Sequence, residues 1–324
     1  MGLLVNGVWH DQWYNTAESD GEFVREGAQF RRWIGEGDDS GNVPFPAESG
    51  RYHLYVSLAC PWAHRTLIYR KLKGLEEHIS VSVVSAWMLE QGWTFDQQTG
   101  STGDHLYQSE YMHQLYTRAK ADYSGRVTVP VLWDRKTETI VSNESSEIIR
   151  MFNSAFDGLT GNQRDFLPQD KRTEIERWNE LIYDRVNNGV YRAGFATTQV
   201  AYEKALIELF DTLNTLESHL DQSRFLTGLE ITEADIRLFT TLIRFDAVYV
   251  GHFKCNLRRI VDYPNLFGYL CDLYQTPGIA DTVDMEHIKQ HYYYSHDMIN
   301  PTRVVPVGPE LDFAVEHGRK HRFE

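Results

Sequence analysis

The stretch HLYVSLACPWAHRTLIYRKLKGL, residues 53–75, decides the fold of the first half of the chain. Residues 51–57 have the alternation of a strand, and the segment that begins at Pro61 has apolar residues at helical spacing. Gly74 stands where such a helix would be capped. The pattern therefore predicts a strand followed directly by a helix, with Cys60 at the junction.

Cys60 has the setting of a reactive thiol. At the N-terminal end of a helix, free N–H groups and the helix dipole can lower a thiol pKa from about 8.5 into the range of roughly 3.5–7.5. Pro61 suits the first helical position. Ala63 stands where a Cys-x-x-Cys pair would have its second cysteine, so we expect Cys60 to form a mixed disulfide with a small external thiol. The alternative is a buried structural cysteine.

The length of 324 residues favours about two domains. Residues 1–49 form an irregular extension that ends in a linker rich in Pro and Gly. The pattern of residues 50–160 predicts one domain whose elements are, in order, a strand, a helix and a strand, then a long polar insertion at about 86–125, then two strands and a helix. Strand patterns are absent from residues 165–300, and residues 301–324 form a tail. The fold class is therefore a small mixed α/β domain followed by an all-helical domain.

The helical half contains two strong helix signals. Residues 201–222 carry leucines on one face, which is typical of an amphipathic helix. Thr232 and Asp235 have the spacing of a capping box, and Ile231 and Ile236 that of a hydrophobic staple. The second signal indicates a stable helix start and no chemistry.

Composition excludes several classes of partner. A formal charge of −14 disfavours nucleic acid and anionic lipid, and no signal peptide or apolar run of about 18 residues is found. The chain has three cysteines, which are too few for a disulfide scaffold and odd in number. This cysteine content favours a reducing compartment, and we expect the protein in the cytoplasm. His287 and His291 are four apart, but no carboxylate motif or cysteine pair accompanies them, so we expect no metal site.

Two further segments could bind a peptide-like ligand. A cis Val129–Pro130 bond would turn the N–H and C=O of Val129 outward. Ser145 is a natural N-cap whose neighbouring N–H groups could hold a carboxylate, and Glu144 could pair with an ammonium group. A plain capping turn is the alternative for the second segment.

Taken together, these motifs resemble the glutathione transferases. CPWAH after a strand, then VTVPVLWD, NESSEII and FLTGLEITEADIRLF carry the resemblance. It is closest to the Xi class, the glutathionyl-hydroquinone reductases, and covers nearly the whole chain. EFVREGAQFRRWIG in the extension and NNGVYRAGFATTQ in the helical half also look like this class.

The resemblance implies a thioredoxin-like N-terminal domain, an all-helical C-terminal domain, a homodimer and a cis Val129–Pro130 bond. Cys60 would be the nucleophile and Tyr191 the proton donor or acceptor. Tyr249 and Tyr292 would line the substrate pocket and help lower the thiol pKa, although the sequence itself does not distinguish Tyr292 from its two neighbours. The residues that would hold glutathione are Trp93, Arg126, Val127, Thr128, Val129, Glu144 and Ser145.

The expected function is therefore glutathione-dependent reduction of glutathionyl-hydroquinones through a Cys60–glutathione mixed disulfide. Glutathione is the co-substrate, and no tightly bound cofactor is expected. Two alternatives share the fold: thiol transfer or dehydroascorbate reduction as in the Omega class, and a non-catalytic binding module. The sequence leaves open which hydroquinone is the physiological one.

Overall fold

The computed structural model describes residues 2–37, 41 and 43–324. Internal contacts divide the chain into two compact units. The described residues of Met1–Trp13, Glu26–Arg164 and Asp284–Ser295 form the first unit. Those of Tyr14–Arg25, Asp165–Val283 and His296–Glu324 form the second. The domain limits inferred from the sequence stay predictions.

The described residues of the first unit form two β-sheets. The strands are β1 (Leu3–Val5), β2 (Val8–His10), β3 (Tyr52–Val56), β4 (Ile79–Val83), β5 (Gly125–Arg126), β6 (Val131–Asp134) and β7 (Thr139–Ser142). The main sheet has the strand order β4-β3-β6-β7, in which β3 and β4 are parallel and the other pairs antiparallel. A smaller antiparallel sheet has the order β2-β1-β5.

Helices occur in both units. Those of the first unit are α1 (Pro61–Leu72), α2 (Met112–Ala119), α3 (Ser145–Ser154), α4 (Asp157–Thr160) and, much later in the chain, α10 (Met285–Ser295). Those of the second are α5 (Arg172–Ile182), α6 (Gly189–Gly194), α7 (Gln199–Leu220), α8 (Glu233–Arg244), α9 (Pro264–Tyr274) and α11 (Arg319–Phe323). None of these helices is both long and apolar enough to cross a membrane.

The strand-to-helix prediction for residues 53–75 is confirmed. All five residues of β3 are buried, as expected for a strand with neighbours on both sides and packing on both faces. Pro61 takes the first position of α1, and Lys73 is its C-cap. Gly74 follows with φ +69°, a conformation that suits glycine because it has no Cβ. The junction that carries Cys60 is therefore fixed by local sequence.

The extension contains structure that the sequence did not predict. It was expected to be irregular, but β1 and β2 form a hairpin, and β1 pairs with β5 so that Leu3 lies opposite Arg126. The predicted insertion likewise contains the helix α2. Strands of two or three residues are too short to show a periodicity, and β5, the second partner of β1, lies more than a hundred residues further along the chain.

The second unit is helical, which confirms the predicted fold class. The capping box is present: the Thr232 side chain accepts the Asp235 N–H, and the Asp235 side chain accepts the Thr232 N–H. Two π-helical turns, Tyr183–Asn187 and Phe245–Tyr249, interrupt the regular helices. Such turns are frequent at functional sites, and here they lie just before Tyr191 and at Tyr249.

Candidate active site

Cys60 is the N-cap of α1. Its backbone is extended, with φ −74° and ψ 119°, and its carbonyl accepts the N–H of His64 at 2.9 Å. The side chain is half-buried, and the thiol donates to the carbonyl oxygen of Val129, with Sγ 3.5 Å away. First-turn N–H groups have no partner within a helix, and the helix dipole favours negative charge there. The position thus suits a thiolate nucleophile.

The other two cysteines differ from Cys60 in setting. Cys255 and Cys271 are fully buried in the helical unit, and all three cysteines are free. Burial raises the pKa of Cys255, and it raises that of Cys271 to about 11. Both are therefore protonated at neutral pH, and Cys60 is the cysteine that a ligand can reach.

The main chain beside Cys60 offers hydrogen-bonding groups to a ligand. The Val129–Pro130 bond is cis, which confirms the expectation from the resemblance. Tyr116 of α2 donates its hydroxyl to the Thr128 carbonyl at 2.8 Å and accepts the Thr128 N–H at 3.2 Å. No hydrogen bond to the Val129 N–H is found within the part of the chain that the structure describes. A peptide-like ligand could therefore pair with that donor.

Trp93 presents a buried donor. Its ring stacks on His291 of α10, with centroids 4.8 Å apart and planes at 20°. Its carbonyl accepts the N–H of Met112 at 2.9 Å, so the start of α2 fixes its backbone. The indole Nε1 has no hydrogen-bond partner among residues 2–37, 41 and 43–324. A buried donor without a partner costs about 1–3 kcal/mol, so a ligand that supplies an acceptor would stabilise this side chain.

Arg126 is bound by the N-terminal extension. Its Nε lies 3.2 Å from Oε1 of Glu26. Its Nη2 donates to the Trp13 carbonyl at 3.3 Å, and its Nη1 donates to the Gln12 carbonyl. The residue is only 9% exposed. Its guanidinium therefore ties the extension to β5, and what it can offer a ligand directly is its main chain and aliphatic stem.

The start of α3 corrects one prediction. Glu144, and not Ser145, is the N-cap, because its Oε1 accepts both the N–H of Ser146 at 2.9 Å and the Ser146 hydroxyl at 2.8 Å. The expectation that Ser145 caps this helix is wrong, because the carboxylate one residue earlier makes a charge-assisted bond to the first turn. Ser145 lies in the first turn, 3% exposed.

Arg65 is a residue that the sequence analysis missed. It lies on α1 with 1% exposure, and its guanidinium carbon is 4.5 Å from the ring centre of Trp62. Its Nη1 lies 3.4 Å from Oγ of Ser145. A buried cation here adds positive charge at the start of α3, where a ligand carboxylate would be bound. The available signal was an arginine that shares a helix face with Trp62 and Ile68, three residues away on either side.

Tyr292 is distinguished from its neighbours by burial. It is 1% exposed on α10, and its ring contacts that of His291 edge to face at 5.2 Å. Tyr293 and Tyr294 are half-exposed, and Tyr294 stacks on Trp87 with centroids 4.0 Å apart. The aromatic run therefore has one buried member, which is the one that the resemblance selects.

Tyr191 and Tyr249 lie in the second unit, in one aromatic cluster. Tyr191 is on α6 with 8% exposure, and its ring centroid is 6.1 Å from that of Tyr249. Phe253 contacts both rings at 5.5 Å. The guanidinium of Arg25 lies over the Tyr191 ring, 5.2 Å from its centre. The structure thus brings these two predicted residues together within their own unit.

Models of known families match both halves of the chain. The Glutathione S-transferase, N-terminal domain, matches residues 59–155, which contain Cys60, Trp93 and the cis bond. The Glutathione S-transferase, C-terminal domain, matches residues 199–270. These two matches agree with the mixed sheet and the helical unit described above.

Relatives of known activity match over the full length. The chain is 59% identical to glutathionyl-hydroquinone reductase YqjG of Escherichia coli, over 100% of each chain. It is 55% identical to glutathionyl-hydroquinone reductase PcpF of Sphingobium chlorophenolicum, over 95% of this chain and 96% of that one.

Solved structures agree with these relatives. The glutathione-bound structure of YqjG superposes with a TM-score of 0.91 and 56% identity, covering 99% of this chain and 100% of that chain. The Xi class transferase of Natrialba magadii gives a TM-score of 0.91 and 48% identity, covering 99% and 97%. The chain therefore belongs to the glutathione S-transferase family, and within it to the Xi class of glutathionyl-hydroquinone reductases.

Proposed function

We propose that this protein is an oxidoreductase that reduces glutathionyl-hydroquinones to hydroquinones with glutathione as co-substrate. The observation that carries the proposal is the half-buried Cys60 at the N-cap of α1, with its Sγ 3.5 Å from the Val129 carbonyl. The identity of 59% over the whole chain to a reductase of this class supports the same reaction.

The first half of the reaction forms the mixed disulfide. The Cys60 thiolate attacks the sulfur of the conjugate, and the bond between that sulfur and the aromatic carbon breaks. The carbon keeps the bonding electron pair and takes a proton from the Tyr191 hydroxyl, which releases the hydroquinone. The two sulfur atoms are oxidised to a disulfide while the ring carbon is reduced.

The second half restores the enzyme. A second glutathione loses its thiol proton, which the Tyr191 phenolate accepts, and its sulfur attacks the glutathione sulfur of the mixed disulfide. Glutathione disulfide leaves, and Cys60 returns to the thiolate. Protons and electrons therefore balance over the cycle without any further oxidant or reductant.

The glutathione moiety would be held by groups of the first unit. The Val129 N–H and C=O can pair with its main chain, and the Trp93 indole N–H supplies a donor. The N–H groups at the start of α3, with Arg65 behind Ser145, suit its γ-glutamyl carboxylate, and Glu144 suits its ammonium group. Val127, Thr128 and Arg126 would contribute main chain, while Tyr249 and Tyr292 would line the hydroquinone pocket.

The reaction also bears on compartment and assembly. A cysteine cycle driven by reduced glutathione needs a reducing compartment, so we infer that the protein acts in the cytoplasm. We infer also that it is a homodimer, as the resemblance implies. Light scattering of the purified protein should give twice the chain mass of 37.7 kDa, and a value equal to one chain would contradict the pairing.

Turnover and intact mass, measured in one reaction, test the proposed function. With glutathione and the reduced glutathione conjugate of menadione, we expect rapid release of the hydroquinone with one glutathione disulfide per product. Without free glutathione, the protein should gain the mass of one glutathione on Cys60. The adduct without hydroquinone turnover would instead support a thiol transferase, and neither adduct nor turnover would indicate a binding module.

A further inference from the structure

The segment 14–25 of the N-terminal extension is docked on the helical unit at several points. The Gly21 carbonyl accepts the N–H of Thr197 at 3.1 Å, and the Thr198 hydroxyl donates to the Asp20 carbonyl at 3.0 Å. Gly21 has φ +87°, and a Cβ there would lie 2.6 Å from the Thr198 side chain. The close approach and the conformation both require glycine, so this docking is specific.

Two side chains complete the docking on either side of Gly21. Glu22 pairs with Lys204 of α7 at 2.8 Å. Phe23 is 5% exposed and packs its ring against Phe195 at 5.2 Å. Apolar burial at Phe23 contributes more than this ion pair, because both charges of the pair are exposed to solvent. The backbone just before Arg25 is therefore held firmly against the region of α6.

Arg25 projects from this docked segment onto Tyr191. Its guanidinium carbon lies over the face of the Tyr191 ring, 5.2 Å from the ring centre, and 5.9 Å from the ring centre of Phe23. A cation over an aromatic face is attracted by the ring quadrupole. The attraction grows when the hydroxyl loses its proton, because the ring then carries a full negative charge.

The rings that face Tyr191 are uncharged side chains. From the turn after α8, Tyr249 and Phe253 face its ring, and from its own helix Phe195 does so. Behind these rings, His252 and His296 are buried and lie 3.1 Å apart, Nε2 to Nδ1. Burial lowers the pKa of His252 to about 4, so it is neutral at the working pH.

We propose that Arg25 is a positioning residue for the proton transfer, because its guanidinium stabilises the phenolate that Tyr191 forms when it gives its proton to the departing hydroquinone. This inference rests on the proposed function for the role of Tyr191. The segment 14–25 of the N-terminal extension therefore has a function in the reaction, because it carries the positive charge that makes Tyr191 a better acid.

The test compares Arg25→Gln, Arg25→Lys and a matched control. Arg258 in the same unit lies over the ring of Tyr263, 3.8 Å from its centre, so Arg258→Gln removes the same kind of contact away from the proposed site. Turnover of reduced glutathionyl-menadione is measured against pH. For Arg25→Gln we expect kcat to fall about tenfold and the alkaline limb of its profile to move upward by about one pH unit, with KM little changed.

The remaining variants should separate charge from packing. Arg25→Lys keeps the cation and should recover part of kcat, whereas Arg258→Gln should match the wild type. In a Tyr191→Phe background, Arg25→Gln should cause no further loss. A fall in kcat with an unmoved alkaline limb, or with equal loss in both backgrounds, would reduce Arg25 to a structural role and overturn the proposal.

A second measurement does not depend on turnover. The ultraviolet absorbance of tyrosinate, taken as the difference between a protein with Tyr191 and its Tyr191→Phe counterpart, reports the ionisation of this one phenol. Arg25→Gln should move that titration to higher pH by about one unit. If the wild type does not reduce the conjugate, the proposed function is wrong, but this titration still tests the interaction between Arg25 and Tyr191. A shift of the curve supports that interaction, and an unchanged curve overturns it.

Discussion

Cys60→Ser is expected to lower kcat for glutathionyl-hydroquinone reduction by at least roughly a thousandfold, because a serine hydroxyl is not ionised at neutral pH and forms no disulfide. The adduct of one glutathione should disappear from the intact mass at the same time. The substitution changes one atom at a half-buried position, so the N-cap of α1 and the cis bond should be preserved. The loss would therefore be chemical and not structural.

Cys271→Ser is the matched control for this variant. It makes the same atomic change at a fully buried thiol of α9, whose pKa burial raises to about 11. Packing can suffer there, so turnover should be compared per folded molecule, and it should stay near the wild-type value. Retained turnover in Cys60→Ser, or a glutathione adduct that moves to another cysteine, would remove Cys60 from the mechanism.

The region around Cys60 could be predicted from sequence because its determinants are local. A strand pattern, Pro61 at the first helical position and Gly74 after the last turn fix the junction within about twenty residues. The capping box at Thr232 and Asp235 is equally local, and it too is found in the structure. Each of these features depends on residues that are close along the chain.

The contacts of the extension could not be predicted in this way. Arg126 is bound to Glu26 and to main-chain carbonyls of residues 12 and 13, more than ninety residues earlier. Arg25 lies over Tyr191 although 166 positions separate them along the chain. Composition gives no sign of such pairs, and β1 and β2 are too short for a periodic signal. The resemblance supplied roles for Arg126 and Tyr191 but not these partners.

The N-cap of α3 shows a second limit on what can be predicted from the sequence. Glu144, Ser145 and Ser146 all carry oxygen acceptors at the start of this helix, and residue preferences favour serine. The actual cap depends on which backbone adopts the extended conformation, and Glu144 does so with φ −105° and ψ 111°. A contact from far along the chain lies just before this cap, since the Asn143 N–H donates to the Phe30 carbonyl at 3.1 Å.

Asp235→Ala is expected to lower the free energy of unfolding by about 3–5 kcal/mol, because each buried donor left without an acceptor costs about 1–3 kcal/mol and several lose theirs. The Asp235 carboxylate is fully buried, and its Oδ1 accepts the Leu226 N–H at 2.9 Å and the Tyr269 hydroxyl at 2.9 Å. Its Oδ2 accepts the N–H of Thr232 at 2.8 Å and its hydroxyl at 2.9 Å. Alanine would leave these donors buried without an acceptor.

A loss of stability of this size would show that Asp235 does more than cap α8. Loss of an exposed N-terminal capping bond costs typically about 1 kcal/mol, whereas this carboxylate also joins α9 to the loop before α8 through Tyr269 and Leu226. Asp211→Ala, an exposed aspartate on α7, is the matched control and should change stability by less than about 0.5 kcal/mol. Urea unfolding of both variants gives the comparison. A loss at Asp235 no larger than about 1 kcal/mol would mean that the capping bond alone matters and that the buried network adds nothing.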